Sequence, residues 1–178
     1  MIFIETQLKG ALVIEPERIA DERGFFARTW CQKEFASHGL ETRLVQCNIS
    51  DNPKKGTLRG MHFQTAPCEE VKIVRCTRGK IYDVIIDLRP GSATFKKWFG
   101  VALNEEKRNM VYIPKGFAHG FITLLDQAEV FYQMSEFYSP DHARGVRWND
   151  PSFGIHWPAE VRLISERDNR YPDFESTQ

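Results

Sequence analysis

Several features that would assign a protein class at once are scarce in this chain of 178 residues. Its four cysteines include no Cys-x-x-Cys pair, which argues against a disulfide framework and favours a reducing compartment, the cytoplasm. No apolar run approaches the roughly 20 residues that span a bilayer, and the first residues lack a signal-peptide pattern. Lys and Arg total 24, as do Asp and Glu, so the zero formal charge predicts no nucleic-acid or membrane partner.

Long amphipathic helices are also lacking, and only Gln32–Ala36 and the segment from Pro158 onward indicate helix. Repeats and linkers are absent until the polar tail Glu175–Gln178, so one domain is predicted over residues 1–178. We predict an all-β, antiparallel jelly-roll barrel with a few short helices at its periphery. Turn residues separate the short runs of β type, which are Leu12–Pro16, Val71–Cys76, Ile81–Asp87, Trp98–Leu103 and Val130–Met134.

Two histidines stand in distinctive frames: His62 in Leu58–Gln64 (LRGMHFQ) and His119 in Ile113–Phe121 (IPKGFAHGF). Metal-binding jelly rolls of the cupin type have His-x-His in the first motif and a further histidine after a Pro-x-Gly turn. Here Gln64 replaces the second imidazole, and an amide binds divalent metals poorly. The pattern therefore favours proton transfer over metal catalysis, because the unperturbed pKa of histidine lies near neutrality.

The ordered motifs extend over nearly the whole chain, from about Leu8 to Asp168. They resemble those of the dTDP-4-dehydrorhamnose 3,5-epimerases, which have a cupin-like jelly-roll fold. The resemblance implies a nucleoside-diphosphate 4-keto-6-deoxyhexose as the substrate, epimerisation at C3 and C5, and no cofactor. The matching segments are Asp21–Phe26, LRGMHFQ, Lys72, IPKGFAHGF, Tyr132, Trp148–Asp150 and Ser165–Asp168.

The resemblance also implies catalytic roles. His62 matches the base, and Asp168 matches the carboxylate that orients it. Tyr132 matches the acid, and Lys72 matches the cation beside the enolate oxygen, where a dry interior strengthens its effect. Ordinary alternatives remain open: Tyr138 competes for the acid role, Lys72 can be solvated on an alternating strand, and Asp168 lies in a charged run that by default faces solvent.

Substrate binding is implied for a second group of residues, with guanidinium groups suited to the two phosphates. Tyr138 is the candidate platform for the base, and Phe26 a further stacking residue. The segment that contains Arg23 is commonly lent by a partner subunit in this family, so a homodimer is implied. The matching positions are Arg23, Phe26, Gln46, Asn48, Arg59, His119, Tyr138 and Arg167.

Two positions depart from the family pattern. Arg28 and Ala143 stand where the family usually has glutamates that contact substrate. Arg28 can only donate hydrogen bonds, so if it faces the base it matches an acceptor such as cytosine offers, rather than thymine N3–H. The alternative is that Arg28 turns outward or binds phosphate. We therefore hypothesise a preference shifted from dTDP towards another nucleotide such as CDP.

Other functions remain open at this point. A mono-epimerase would invert one centre, and a 3,4-ketoisomerase of similar fold would shift the carbonyl. A binding module without catalysis would have lost the base, acid and orienting carboxylate, whereas His62, Tyr132 and Asp168 are all present. A metal-dependent oxygenase would need the imidazole that Gln64 replaces.

Overall fold

The computed structural model describes residues 1–174, so the predicted tail Glu175–Gln178 lies outside the described residues. Helix α1 is Gln32–Ser37 and helix α2 is Glu166–Asn169. The strands, in chain order, are β1 (Ile2–Glu5), β2 (Leu12–Glu15), β3 (Arg18–Asp21), β4 (Gly24–Ala27), β5 (Gln46–Asn52), β6 (Thr57–Gln64), β7 (Lys72–Arg78), β8 (Lys80–Asp87), β9 (Trp98–Asn104), β10 (Met110–Ile113), β11 (Phe117–Thr123), β12 (Ala128–Met134), β13 (Ala143–Gly145) and β14 (Leu163–Ile164).

Two large sheets face each other across a shared core. The first has the strand order β1-β2-β10-β7-β12-β5, and the second has the order β13-β6-β11-β8-β9. Neighbouring strands run antiparallel, except that β14 pairs in parallel with β6. Buried side chains from both sheets meet in the core, among them Val74 and Val130 from the first and Ile81 and Ile85 from the second. The predicted jelly roll is confirmed.

The outer faces of the sheets are also covered. Phe35 of α1 packs on the first sheet with residues of β2 and β10, while Phe153 and Trp157 pack on the second. Strand β8 is therefore apolar on both faces: Ile81 and Ile85 point into the core, and Val84 and Ile86 point to the C-terminal segment. This burial explains why the run has little polar alternation.

The predicted short strands and the helix at Gln32–Ala36 are confirmed, with ends shifted by a few residues. The helix expected from Pro158 onward is wrong except for α2. The amides of Arg162 and Leu163 instead bond the carbonyl of Gly56, at 2.9 and 3.2 Å, and β14 joins β6. Tertiary pairing outweighs the weak local helix propensity of this segment.

Strands β3 and β4 form a separate two-stranded hairpin that projects from the sheets. Ile19 and Phe26 expose 69% and 68% of their surface there, and Phe25 exposes 46%. Large apolar side chains clustered on so small an element are typical of a surface that another molecule covers.

No helix within residues 1–174 is both long enough and apolar enough to cross a membrane.

Candidate functional site

A cavity of about 550 Å³ opens between the two sheets. This size suits a small-molecule ligand. Strands β5, β7 and β12 of the first sheet form one wall, and β6 and β11 of the second sheet form the other. Both framed histidines line the cavity.

The two histidines lie side by side because their strands pair in register. His119 of β11 is directly opposite His62 of β6, so both side chains project from the same face. Next to them the two strands approach closely at a pair of glycines. A Cβ on Gly60, which has φ +132°, would lie 2.5 Å from Cα of Gly120, and a Cβ on Gly120 would lie 3.0 Å from Cα of Gly60. Side chains at either position would push the strands apart.

His62 is anchored from behind by a buried carboxylate. Its Nε2 lies 2.8 Å from Oδ1 of Asp168, and the amide of Gly60 donates to Oδ2 at 3.1 Å. Helix α2 positions Asp168, whose own amide donates to the N-cap hydroxyl of Ser165. Burial opposes ionisation, but the hydrogen bonds and charge of His62 and the Gly60 amide prevail and hold the pKa of Asp168 below its usual value. Because Nε2 is engaged, Nδ1 is the ring nitrogen left for a ligand.

His119 has a matching anchor. Its Nε2 lies 2.8 Å from Oδ2 of Asp83, which projects inward from β8 and is 1% exposed. Burial raises the pKa of Asp83, although His119 and Lys72 both act against the shift. Oδ1 of Asp83 has no hydrogen-bond partner within residues 1–174. The pair places a second imidazole, also fixed through Nε2, beside the first.

Lys72 lies inside the cavity, so the solvated alternative is wrong. Its side chain is 11% exposed, and Nζ lies 2.8 Å from Oε1 of Glu70. Glu70 is itself buried at 3% side-chain exposure. The arrangement places a lysine and a carboxylate together inside the barrel, where charged groups act more strongly than in water.

Tyr132 projects into the cavity from β12, on the sheet opposite to His62. Burial raises the pKa of Tyr132, while the nearby charge of Arg59 partly opposes the shift. The phenol is therefore a neutral hydrogen-bond donor at physiological pH. A group that can donate a proton thus faces a group that can accept one.

Arg59 is exposed at the cavity and is oriented by Asn52, whose Oδ1 accepts from Nε at 2.7 Å. The outer guanidinium nitrogens have no hydrogen-bond partner within residues 1–174 and suit an anion. Arg167 lies at the same rim, where its Nε donates to the hydroxyl of Tyr171 at 2.9 Å. The rim therefore presents two fixed cations to a ligand.

Comparison with known proteins agrees with this geometry. A sequence model of the family described as dTDP-4-dehydrorhamnose 3,5-epimerase matches residues 5–176. The enzyme of that name from Methanothermobacter thermautotrophicus is 46% identical over 172 residues, which cover 95% of this chain and 92% of the relative. The chain belongs to the dTDP-4-dehydrorhamnose 3,5-epimerase family. It is an enzyme, and the family activity is epimerisation of a nucleotide sugar.

Solved epimerase structures have the same fold. The dTDP-4-dehydrorhamnose 3,5-epimerase of Bacillus anthracis, solved with TDP and PPi bound, is 40% identical with a TM-score of 0.94, covering 97% of this chain and 99% of that one. A 3'-monoepimerase from Streptomyces bikiniensis, in complex with dTDP-quinovose, is 32% identical with a TM-score of 0.89, covering 96% and 86%. The shared fold therefore serves epimerases of more than one outcome.

Most residues predicted from the sequence meet at this cavity. Asp168 lies directly behind His62, in contrast to the solvent-facing alternative, because it is 5% exposed. Their roles in the reaction stay predictions. The predicted residues that line the cavity are Gln46, Asn48, Arg59, His62, Lys72, His119, Tyr132, Tyr138 and Arg167.

Arg23, Phe26 and Arg28 do not line the cavity of their own chain, because they lie on or next to the projecting β3–β4 hairpin. Arg28 Nη1 lies 2.8 Å from Oε1 of Glu34, so its guanidinium is paired within the chain. Any contact of this segment with substrate requires a second subunit, as the resemblance implies, and stays a prediction.

Sequence reasoning missed the two buried acids of the site, Glu70 and Asp83. A usable signal existed for Asp83: it lies two residues from both Ile81 and Ile85, on the core-facing side of an apolar strand. A carboxylate at such a position is costly unless it has a partner.

Ala143 does line the cavity. Within residues 1–174 no group of three His, Cys, Asp or Glu residues is arranged to hold a metal.

Proposed function

We propose that this enzyme epimerises a dTDP-linked 4-keto-6-deoxyhexose at C3 and C5 without a cofactor. The observation that supports it most is the arrangement of His62, backed by Asp168 at 2.8 Å, and Tyr132 on opposite walls of one cavity. Epimerisation removes a proton from one face of a carbon and returns a proton to the other face. A base and an acid on facing walls meet that requirement.

The proposed reaction begins with abstraction of a proton next to the C4 ketone, which acidifies the hydrogens at C3 and C5. Nδ1 of His62 takes the proton, and Asp168 stabilises the resulting imidazolium. The electron pair moves into an enolate, whose oxygen is stabilised by Lys72 and by His119, held in turn by Asp83. Tyr132 then donates its phenolic proton to the opposite face of the carbon, solvent reprotonates Tyr132, and His62 releases the abstracted proton to solvent.

For binding, we propose that Arg59 and Arg167 hold the two phosphates, and that Gln46 and Asn48 contact the nucleotide. Tyr138, which is 53% exposed at the cavity, stacks on the base.

We propose dTDP as the nucleotide, because the family model and the relatives refer to it and Arg28 is paired with Glu34 in its own chain. The expected shift towards a nucleotide such as CDP is not favoured. Binding of dTDP, CDP, UDP and GDP, compared by calorimetry, tests this choice, and weaker binding of dTDP than of CDP would reject it.

Turnover in deuterated water separates the remaining reaction outcomes. Double epimerisation is expected to place deuterium at both C3 and C5 of the product. A mono-epimerase would exchange and invert one centre, and a 3,4-ketoisomerase would leave C5 without deuterium. In the same assay His62→Ala should abolish exchange at both carbons, and full exchange in this variant would reject the proposed base.

We also propose a homodimer in which the β3–β4 hairpin of one subunit brings Arg23 and Phe26 to the cavity of the other. The exposed apolar side chains of the hairpin support this arrangement. Mixing two inactive variants, Arg23→Ala and His62→Ala, tests it. If the subunits exchange, half of the dimers contain one intact site, so about a quarter of wild-type activity should return. No recovery after refolding of the mixture would reject the shared site.

Finally, we propose that the enzyme works in the cytoplasm. The four cysteines form no disulfide among the described residues, which agrees with a reducing compartment.

A further inference from the structure

Gln64 occupies the position at which a metal-binding jelly roll would have its second imidazole, and its amide is fully engaged elsewhere. It ends β6 and is 5% exposed. Its Nε2 donates to the carbonyls of Cys68, at 2.8 Å, and Phe137, at 3.2 Å, while its Oε1 accepts from the amide of Ser139 at 2.6 Å. Both N–H donors are used, so Gln64 has no donor left for a substrate.

Two of these bonds, to Phe137 and Ser139, hold the loop that joins β12 to β13. A second glutamine holds the same loop from the other side: Oε1 of Gln46 accepts from the amide of Tyr138 at 2.9 Å. One main-chain group on each of three successive residues, the Phe137 carbonyl and the Tyr138 and Ser139 amides, is thus bonded to a side chain rather than to a neighbouring strand. A loop without ladder hydrogen bonds depends on such side-chain contacts for its order.

We infer that Gln64 is a positioning residue that fixes the loop and thereby presents Tyr138 to the nucleotide base. The inference rests on the proposed function, in which Tyr138 stacks on the base. Tyr138 has a half-exposed side chain that is bonded by Arg167, so packing alone does not hold its ring. Its backbone is fixed as well, since the Phe137 carbonyl before it and the Ser139 amide after it both bond to Gln64. An immobilised platform loses less conformational freedom when the ligand binds.

Gln64→Met tests this role, because methionine keeps the length and much of the volume of glutamine but removes all three hydrogen bonds. We expect the dissociation constant for dTDP and the KM for the sugar nucleotide to rise about ten-fold, within the range of a base–aromatic stack. The kcat should stay within about two-fold, because the side-chain hydrogen bonds of Gln64 go to main-chain groups and not to the proton-transfer groups. Unchanged KM, or a fall in kcat at unchanged KM, would overturn the inference.

A double-variant cycle with Tyr138→Ala separates positioning from general destabilisation. If Gln64 acts through Tyr138, adding Gln64→Met to Tyr138→Ala should weaken dTDP binding by no more than about two-fold further. If the two substitutions weaken dTDP binding independently, so that their separate fold-losses multiply in the double variant, the inference is overturned. Gln133→Met is the matched control: Gln133 lies on β12 but accepts from Arg75, at 2.9 Å, outside the cavity, so its loss should leave KM unchanged.

Hydrogen exchange of the amides of Tyr138 and Ser139 gives a readout that does not depend on the substrate. Both amides should exchange at least about ten-fold faster in Gln64→Met than in the wild-type protein, with core amides of β8 unaffected. Equal protection in the two proteins would overturn the anchoring role. If the wild-type protein binds no dTDP, the proposed nucleotide is rejected, while the exchange rates still decide whether Gln64 fixes the loop.

Discussion

Replacement of Asp168 by asparagine tests the proposed base through hydrogen-bond geometry. In the wild-type chain one oxygen of Asp168 accepts from the Gly60 amide at 3.1 Å, and the other lies 2.8 Å from Nε2 of His62. An asparagine offers one oxygen and one NH₂ group. The Gly60 amide can only donate and therefore selects the oxygen, which leaves the NH₂ group facing His62. Nε2 must then accept, so the ring proton moves to Nδ1, the nitrogen needed as the base.

A misplaced ring proton in a histidine–carboxylate pair costs about 10⁴ in kcat in the serine-protease precedent. Because the His62 side chain is 42% exposed, we expect a loss of about 10³ to 10⁴ here, or about 4 to 5.5 kcal/mol of transition-state stabilisation. The assay is deuterium incorporation at C3 and C5, followed by NMR in deuterated water. Binding of dTDP should change little, because Asp168 lies behind His62 rather than on the nucleotide side.

Asp150→Asn is the matched control, since Asp150 is also a buried carboxylate that accepts a backbone amide, that of Ser152 at 2.7 Å, but does not line the cavity. Its melting temperature is to be measured alongside that of Asp168→Asn, so that loss of folded protein is not mistaken for loss of catalysis. Deuterium incorporation at C3 or C5 above one tenth of the wild-type rate in folded Asp168→Asn would refute the reasoning.

Three further predictions concern the other groups of the site. Tyr132→Phe should keep deprotonation but slow inversion about 100-fold or more, which NMR of the recovered sugar will measure. Because burial raises the pKa of Tyr132, the kcat of the wild-type enzyme should not fall through loss of the Tyr132 proton below about pH 10. Asp83 has a raised folded pKa, so its stabilising contribution is present below its unfolded pKa of about 4 and is lost as pH rises. The melting temperature of Asp83→Asn relative to wild type should therefore increase from pH 4 to 7, and a constant difference contradicts this. Lys72→Met should lower kcat about 10²- to 10³-fold with KM changed only a few-fold, and steady-state kinetics showing unchanged kcat would exclude an enolate role.

The sequence identified the fold class because its strands have strong apolar runs bounded by turn residues, as in Ile81–Asp87. It did not identify β14, since two residues have no periodicity and their pairing with β6 is set by distant contacts. The prediction of a helix after Pro158 was wrong for the same reason, because distant contacts set the conformation of this segment. Local pattern is informative for long elements and uninformative where tertiary pairing decides the conformation.

Most of the candidate site could be found because its residues stand in motifs. The buried acids that hold Lys72 and His119 were missed because Glu70 and Asp83 belong to no motif, although the apolar strand around Asp83 carried a signal for it. Register was also beyond sequence reasoning: nothing in the two motifs indicates that His62 and His119 lie directly opposite each other. The sequence pattern marks Gln64 only as a poor metal ligand. It gives no sign that the side chain hydrogen bonds to three main-chain groups.

The contact between Gly60 and Gly120 has a consequence for which substitutions this chain can tolerate. Each glycine occupies the space that a Cβ on the other would need, so the two positions constrain each other across the sheet. A single substitution at either site cannot be compensated at the other, because glycine is already the smallest residue there. The two histidine motifs, far apart along the chain, thus form one structural unit, and engineering that alters specificity has to keep both glycines while varying the rim of the cavity.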